Sequence, residues 1–297
     1  MEHVLSSFSN NLADLVERAG QSAVGIEGRH RIGSSGFIWK PGVIVTAAHA
    51  IRRDDEIPVI LPDGKRSVAE LVGRDPDTDV AVLKTKSATA PEVTTAPALR
   101  TGEIIVAVGR HEPGILAAVG IVSTAGAAWK TWRGGHIDAL VRLDIGAYPR
   151  SSGSAIIDTQ GRFAGMLTGG LTRTAPVAIP AATIDRVATE LLEHGRIARG
   201  YLGVGLQPVL LPLAFAKSLN REQRTGVIIL SVEPGGPADS SGLLIGDVLA
   251  EIDGEPVTDT DDVQIALRGK IGKELSVVVL RSGERAELRV KVGERRG

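Results

Sequence analysis

The chain contains no cysteine. A disulfide framework, a thiolate metal site and a cysteine nucleophile are therefore excluded. The absence fits a reducing compartment. Aromatic residues are scarce, 3% of 297 residues, so the cores must be built from Val, Ile, Leu and Ala. Neither sign of charge dominates: 34 basic residues face 35 acidic ones, for a net charge of −1. That balance suits no polyanionic partner, so neither nucleic acid nor an anionic membrane surface is expected. Long apolar runs are missing too. One of the longest stretches free of charge, Pro113 to Trp129, is broken by Gly114, Gly120 and Gly126. It falls short of the roughly 20 residues that a membrane span needs. Met1 to Gly20 carries Glu2 near its start and has no apolar segment of signal-peptide length. As written, the chain reads as cytoplasmic; it reads as periplasmic or extracytoplasmic if an upstream segment is missing.

Gly and Pro, in contrast, are plentiful at 36 and 15 residues. They punctuate short β-rich runs at 22–26, 36–39, 43–46, 57–60, 67–73, 80–84, 104–108, 116–123, 139–143, 155–158, 162–167 and 177–179. Strands at this density predict a barrel or sandwich rather than βαβ units. Two helical patterns flank them. Residues 3–19 carry Val4, Leu5, Phe8, Leu12, Leu15 and Val16 as one stripe. That stripe either packs on its own barrel or meets another subunit. Residues 180–194 repeat the helical spacing with Ile184, Val187, Leu191 and Leu192, and Gly195 follows as a C-cap. A new β-rich segment opens at Gly200, with helical stretches at Pro237–Ser241 and Thr260–Arg268 and a tight turn at Asp253-Gly254. The expected division is an N-terminal helical segment over 1–20, a domain over 21–197 and a second domain over 198–297.

Three local patterns bear chemistry. Val43-Ile-Val-Thr-Ala-Ala-His49 is an apolar strand delivering a histidine to its end. In Gly73-Arg-Asp-Pro-Asp-Thr-Asp79-Val-Ala-Val-Leu-Lys84, Asp79 stands at the mouth of another strand. Asp75, Asp77 and Asp79 have the spacing of a calcium loop, but its sixth position is Val80, not Gly, and Lys86 stands where its Glu would be. No metal is expected. The third pattern, Asp144-Ile-Gly-Ala-Tyr-Pro-Arg-Ser-Ser152-Gly-Ser-Ala-Ile-Ile-Asp158, places a serine on a Gly-flanked turn before a buried strand. Each pattern alone has an ordinary structural reading. Together they give the order His, Asp, Ser that trypsin-like proteases use. His49 would take the Ser152 proton during attack and return it to the leaving amine, while Asp79 fixes the imidazole tautomer.

These stretches, with Leu12-Ala-Asp-Leu-Val-Glu-Arg, Ala23-Val-Gly-Ile, Gly33-Ser-Ser-Gly-Phe-Ile and Gly120-Ile-Val-Ser, resemble the HtrA/Deg family of serine proteases. So do the passage His194-Gly195 to Arg199-Gly-Tyr-Leu-Gly-Val, the run Val232-Glu-Pro-Gly-Gly-Pro-Ala-Asp-Ser-Ser-Gly-Leu and the run Gly246-Asp-Val-Leu-Ala-Glu-Ile-Asp-Gly254. The resemblance implies a mainly β fold: a trypsin-like double six-stranded β-barrel followed by a small α+β PDZ domain. It implies an oxyanion hole from the backbone of Arg150 and Ser152, with Ser151 as a third candidate, and a substrate pocket lined by Leu167, Thr168 and Gly169. The pocket offers no Asp to a basic side chain, so a small or medium aliphatic residue is expected there. Tyr201, Leu202, Gly203 and Val204 would form a carboxylate-binding loop, with Ile265 on the wall of the peptide groove. Unfolded proteins or peptides as substrates, peptide C-termini as PDZ ligands and a homotrimer follow from the same resemblance. No Gly-rich, Lys-containing nucleotide loop is present, so proteolysis without ATP and without a cofactor is expected. Residues Glu27 to Arg31 make only a short connection where some relatives insert a long loop. One departure stands out: the family's Gly-Asn-Ser-Gly-Gly is here Arg150-Ser-Ser-Gly-Ser154. The alternative is accordingly a catalytically impaired homologue acting as a peptide-binding scaffold or chaperone.

Overall fold

The computed structural model describes residues 2–28, 33–89, 93–112, 114–146, 148, 150–172, 174–211 and 225–294. The connection expected at Glu27–Arg31 and the charged tail at Arg295 and Arg296 lie partly or wholly outside them. The helix α1 (Glu2–Gly20) precedes six strands, β1 (Ala23–Ile26), β2 (Ser34–Lys40), β3 (Val43–Ala47), β4 (Ile57–Ile60), β5 (Arg66–Asp75) and β6 (Val80–Lys84). They close a barrel in the order β1-β2-β3-β6-β5-β4. The next strands are β7 (Ile104–His111), β8 (Gly114–Gly126), β9 (Trp129–Lys130), β10 (His136–Ile137), β11 (Leu140–Ile145), β12 (Ala155–Asp158), β13 (Phe163–Thr168) and β14 (Val177–Pro180). All but the β9–β10 hairpin close a second barrel, in the order β11-β14-β13-β12-β7-β8. The helix α2 (Ala181–His194) follows and ends at Gly195 in the left-handed region.

The strands of the first barrel other than β5 read as apolar runs because both of their faces are buried. Side chains alternate across a strand. Ile44, Ala81 and Leu83 fill the barrel interior, whereas their neighbours Val45, Val80 and Val82 join Met166, Ile179 and the α2 residues Ile184, Val187 and Leu191 in a core between the barrels. The scarce aromatics concentrate at this seam: the Phe37 and Phe163 rings lie 4.5 Å apart and the Trp39 and Phe163 rings 5.4 Å. Aromatic pairs of this kind add about 0.5–1.5 kcal/mol beyond their burial. The stripe of α1 divides in two. Leu12, Leu15 and Val16 pack on Ala23, Val106, Val108 and Ile157, while Val4, Leu5 and Phe8 stay exposed. The hairpin β9–β10 has no counterpart among the strands expected from sequence, since two-residue strands show no alternation to read.

Residues 198–297 form a separate unit. It contains β15 (Gly200–Tyr201), β16 (Val204–Leu210), β17 (Thr225–Val232), β18 (Val248–Ile252), β19 (Glu255–Pro256), β20 (Glu274–Arg281), β21 (Glu284–Lys291) and β22 (Gly293–Glu294), with helices Pro237–Ser240 and Thr260–Leu267. The main sheet runs β16-β17-β18-β20-β21, so one side of β16 is an open edge. Asp253-Gly254 and Ser282-Gly283 both have positive φ at each residue, which is the turn that matches the twist of a hairpin. Among the described residues no helix is long and apolar enough to cross a membrane.

Asp247 is 2% exposed and holds this unit together. Arg281 Nε and Nη2 donate to its two oxygens at 2.9 and 2.7 Å, and the Leu244 N–H donates at 2.9 Å. Burial alone would raise the carboxyl's pKa; the bonds from Arg281 and Leu244, with the Arg281 charge, outweigh it and lower the pKa. The stability this contributes is present above the ordinary carboxylate pKa of about 4 and is lost as pH falls through the lower folded-state value. Asp247→Asn is expected to lower the unit's stability by about 1–3 kcal/mol at pH 7. Urea unfolding of the two proteins should show that gap narrowing below about pH 4.

Candidate active site

In the antiparallel ladder of β3 and β6, Ala47 faces Val80. The residues just beyond that pair, His49 and Asp79, are thereby brought together. A single turn, Ala48–Ala50, carries His49, and the Ala48 N–H donates to the Asp79 carbonyl at 3.0 Å. Asp79 has φ +60°, a left-handed conformation that Asp tolerates better than most residues. Its carboxylate is buried, at 3% exposure. Oδ1 accepts the His49 backbone N–H at 2.9 Å, and His49 Nδ1 lies 2.8 Å from Oδ2. The Thr168 hydroxyl donates to Oδ2 at 2.5 Å. With Nδ1–H given to a carboxylate, the imidazole presents Nε2 as its free lone pair, and its side chain is 37% exposed. The loop before Asp79 is shaped by Asp75, which accepts from the Thr78 hydroxyl at 2.6 Å and the Asp77 N–H at 3.3 Å. These aspartates serve the turn.

The serine loop joins β11 to β12. The Gly153 N–H donates to the Leu167 carbonyl at 2.8 Å, and the Ser154 N–H to the Ser151 carbonyl at 3.0 Å. Gly153 has φ +89°, and a Cβ there would lie 1.9 Å from the Ser35 carbonyl oxygen, so only glycine fits. Ser151 donates both its N–H, at 3.1 Å, and its hydroxyl, at 2.8 Å, to the Tyr148 carbonyl. Its N–H is therefore committed within the loop, which leaves Arg150 and Ser152 as candidate oxyanion donors. The Ser152 N–H has no acceptor among the described residues, and Ser152 makes no hydrogen bond to His49. Arg150 has φ +83°. Holding a non-glycine residue there costs roughly 1–2 kcal/mol. Its guanidinium does not hang free over the loop, because Nη1 contacts His111 Nε2.

The pocket residues expected from sequence differ in exposure. Leu167 and Thr168 are 1% and 0% exposed, and Thr168 turns its hydroxyl to Asp79, so neither side chain lines an open cleft. Of the three, only Gly169 is exposed. Gly170, one residue on, is expected by the same resemblance to line the pocket with Gly169, and it lies against the paired side chains. A Cβ there would lie 2.6 Å from His49 Nδ1 and 2.8 Å from Asp79 Oδ2. In the second unit, Leu202 is 2% exposed and belongs to the core, so it serves the loop through its backbone alone. The N–H groups of Leu202 and Gly203 have no acceptor among the described residues, and Gly203 has φ +79°. Tyr201 pairs with Gly293, Val204 opens the edge strand β16, and Ile265 is 53% exposed on the neighbouring helix.

Two closed six-stranded barrels with a buried Asp–His pair at their seam define the trypsin-like peptidase class. The Trypsin-like peptidase domain family matches residues 34–166, and the PDZ domain family matches 200–292. Among solved structures, "HtrA-type protease AlgW with tripeptide" is 31% identical, with 96% of this chain and 97% of that chain covered and a TM-score of 0.76. A serine endoprotease from Yersinia pestis is 26% identical, with 96% and 98% covered and a TM-score of 0.76. The chain belongs to the HtrA-type protease family. Curated relatives carry the name "Probable periplasmic serine endoprotease DegP-like". The one from Halomonas elongata is 34% identical over 279 residues, 90% of this chain and 57% of the relative. The one from Bartonella henselae is 32% identical over 308 residues, 98% of this chain and 59% of the relative. The chain thus spans under two thirds of the length of these relatives. Their periplasmic naming overturns the cytoplasmic expectation and points to an extracytoplasmic location. That expectation rested on the lack of an apolar segment of signal-peptide length in residues 1–20, and such a lack carries no information about compartment.

Gly170→Ala should push the imidazole off Asp79. A displacement of that size is expected to lower kcat about a hundredfold with the fold retained, as steady-state kinetics and circular dichroism would show. His111 supplies a pH prediction. Burial and then the Arg150 charge hold its pKa below the ordinary 6.5, with Glu112 and Glu27 opposing. As pH falls the unfolded chain takes the proton first. The associated stability is complete above about 6.5 and is lost as pH drops through that value towards the folded-state pKa. Melting curves of His111→Gln between pH 7 and 5 should therefore decline less steeply than those of the wild type.

Proposed function

We propose that this chain is an ATP-independent serine endopeptidase that cleaves unfolded or misfolded proteins, with Ser152 as nucleophile, His49 as general base and acid, and Asp79 as the group that orients His49. The reading rests on the His49–Asp79 pair: a partly exposed imidazole whose Nδ1 is held by a buried carboxylate and whose Nε2 is left to accept a proton. Attack by the Ser152 hydroxyl transfers its proton to Nε2, and the imidazolium then protonates the leaving amine. The N–H groups of Arg150 and Ser152 receive the oxyanion. Water completes the cycle by the same two proton transfers.

The second unit binds C-terminal or extended peptides. Its edge strand β16 adds the peptide as a further strand, and the unpaired N–H groups at Leu202 and Gly203 take the terminal carboxylate. Val4, Leu5 and Phe8, exposed at 71%, 72% and 53%, supply an apolar contact for a homotrimer.

Fluorophosphonate labelling tests the enzyme. Wild type should label and cleave an unfolded protein at the same rate with and without ATP. Ser152→Ala should not label, and its turnover should fall by about 10⁴-fold or more. Folded wild type that stays unlabelled but retains peptide binding would instead mark a peptide-binding scaffold, a reading to which the missing Ser152–His49 hydrogen bond lends weight. Light scattering of a chain lacking residues 2–10 tests the trimer; an unchanged mass rejects the helix contact.

A further inference from the structure

Ser35 stands on β2, in the first barrel, and is 0% exposed. All of its polar groups are used at the serine loop or beside it. Its N–H donates to the Ser152 carbonyl at 3.0 Å. Its hydroxyl accepts the Arg110 N–H at 3.2 Å. The single hydroxyl proton has two carbonyls in reach, Arg150 at 3.1 Å and Arg110 at 3.4 Å, and the shorter contact is to Arg150. Its own carbonyl accepts the Thr46 hydroxyl at 2.7 Å and is the atom that a Cβ on Gly153 would strike. One buried serine thus grips the backbone on both sides of residue 151.

That grip has a directional consequence. In a planar peptide the C=O and the following N–H point opposite ways. With the Arg150 carbonyl on Ser35, the Ser151 N–H is turned away, to Tyr148. The direction of the Arg150 N–H relative to that anchored carbonyl is then set by φ and ψ of Arg150, and φ stands at +83°. Glycine holds such a φ freely; arginine relaxes towards negative φ unless the surroundings prevent it. The Ser35 bonds to the Arg150 and Ser152 carbonyls fix the downstream side of this φ, and without them the 150–151 peptide is free to turn as φ relaxes. We infer that Ser35 is a positioning residue for the oxyanion loop, needed in this chain because the residue two before the nucleophile is Arg150 rather than glycine.

The inference rests on the peptidase reading and deepens it. Kinetics on wild type, Ser35→Ala, Arg150→Gly and the double variant test it. Ser35→Ala should lose about tenfold in kcat with KM nearly unchanged, and its melting temperature should fall by a similar amount in both backgrounds, because the Arg110 N–H loses its acceptor in each. In the Arg150→Gly background the same substitution should change kcat less than twofold, because glycine needs no hold. Equal kcat losses in both backgrounds, or a loss confined to KM or stability, would overturn the role. A crystal structure of Ser35→Ala supplies a readout independent of turnover. Arg150 found at negative φ supports the inference, and Arg150 unchanged at positive φ defeats it. Failure of wild type to label with fluorophosphonate defeats the peptidase reading instead, while the crystal structure still decides whether Ser35 holds the loop.

Discussion

A carboxylate buried to 3% exposure needs donors, and Asp79 finds them in both barrels. The first barrel supplies the backbone N–H and Nδ1 of His49; the second supplies the Thr168 hydroxyl. An unpaired buried carboxylate would be strongly unfavourable. The barrels therefore cannot shift along their seam without exposing or orphaning this charge. Around it the seam is hydrocarbon, with Phe37, Trp39, Val45, Val80, Phe163 and Met166 meeting across it. Packing fixes the distance between the barrels, and the carboxylate fixes their register.

The serine loop is governed by space as much as by hydrogen bonds. Gly153 lies against the Ser35 backbone, and Gly170 lies against the His49–Asp79 pair. Both positions are defined by what they lack. A protein whose chemistry depends on such close approach tolerates little at these points, while the solvent-facing residues of β8 and β21 face no comparable limit.

Much of the architecture was legible in the sequence because its causes are local. Apolar runs between glycines and aspartates pointed to a barrel or sandwich, the family resemblance chose the barrels, and a C-capping Gly195 ended α2 where the spacing ended. The approach of His49 to Asp79 was legible for a related reason, since each stands just past the end of a strand. That the Thr168 hydroxyl turns to Asp79 was not legible. Thr168 ends a strand buried on both faces, so no alternation tells which side its hydroxyl faces. Ser35 gave no signal, because its contacts to Arg110, Arg150 and Ser152 span barrels that only folding brings together. The attraction of the Arg150 side chain to His111 was invisible for the same reason. Location failed on different grounds: it was argued from an absent leader, and an absence carries no address.

The scarcity of aromatics leaves the protein with an optical division of labour. Of its 3 tryptophans, Trp39 is 9% exposed at the seam beside Phe163, and Trp132 is 75% exposed on the β9–β10 hairpin with Arg133 over its ring. Trp129, between them in exposure, packs against the seam core from the same hairpin. Emission from the buried indole is blue and from the solvated one red. Native fluorescence therefore reports on the contact between the barrels and on the wetting of the hairpin as separate signals, with no dye attached.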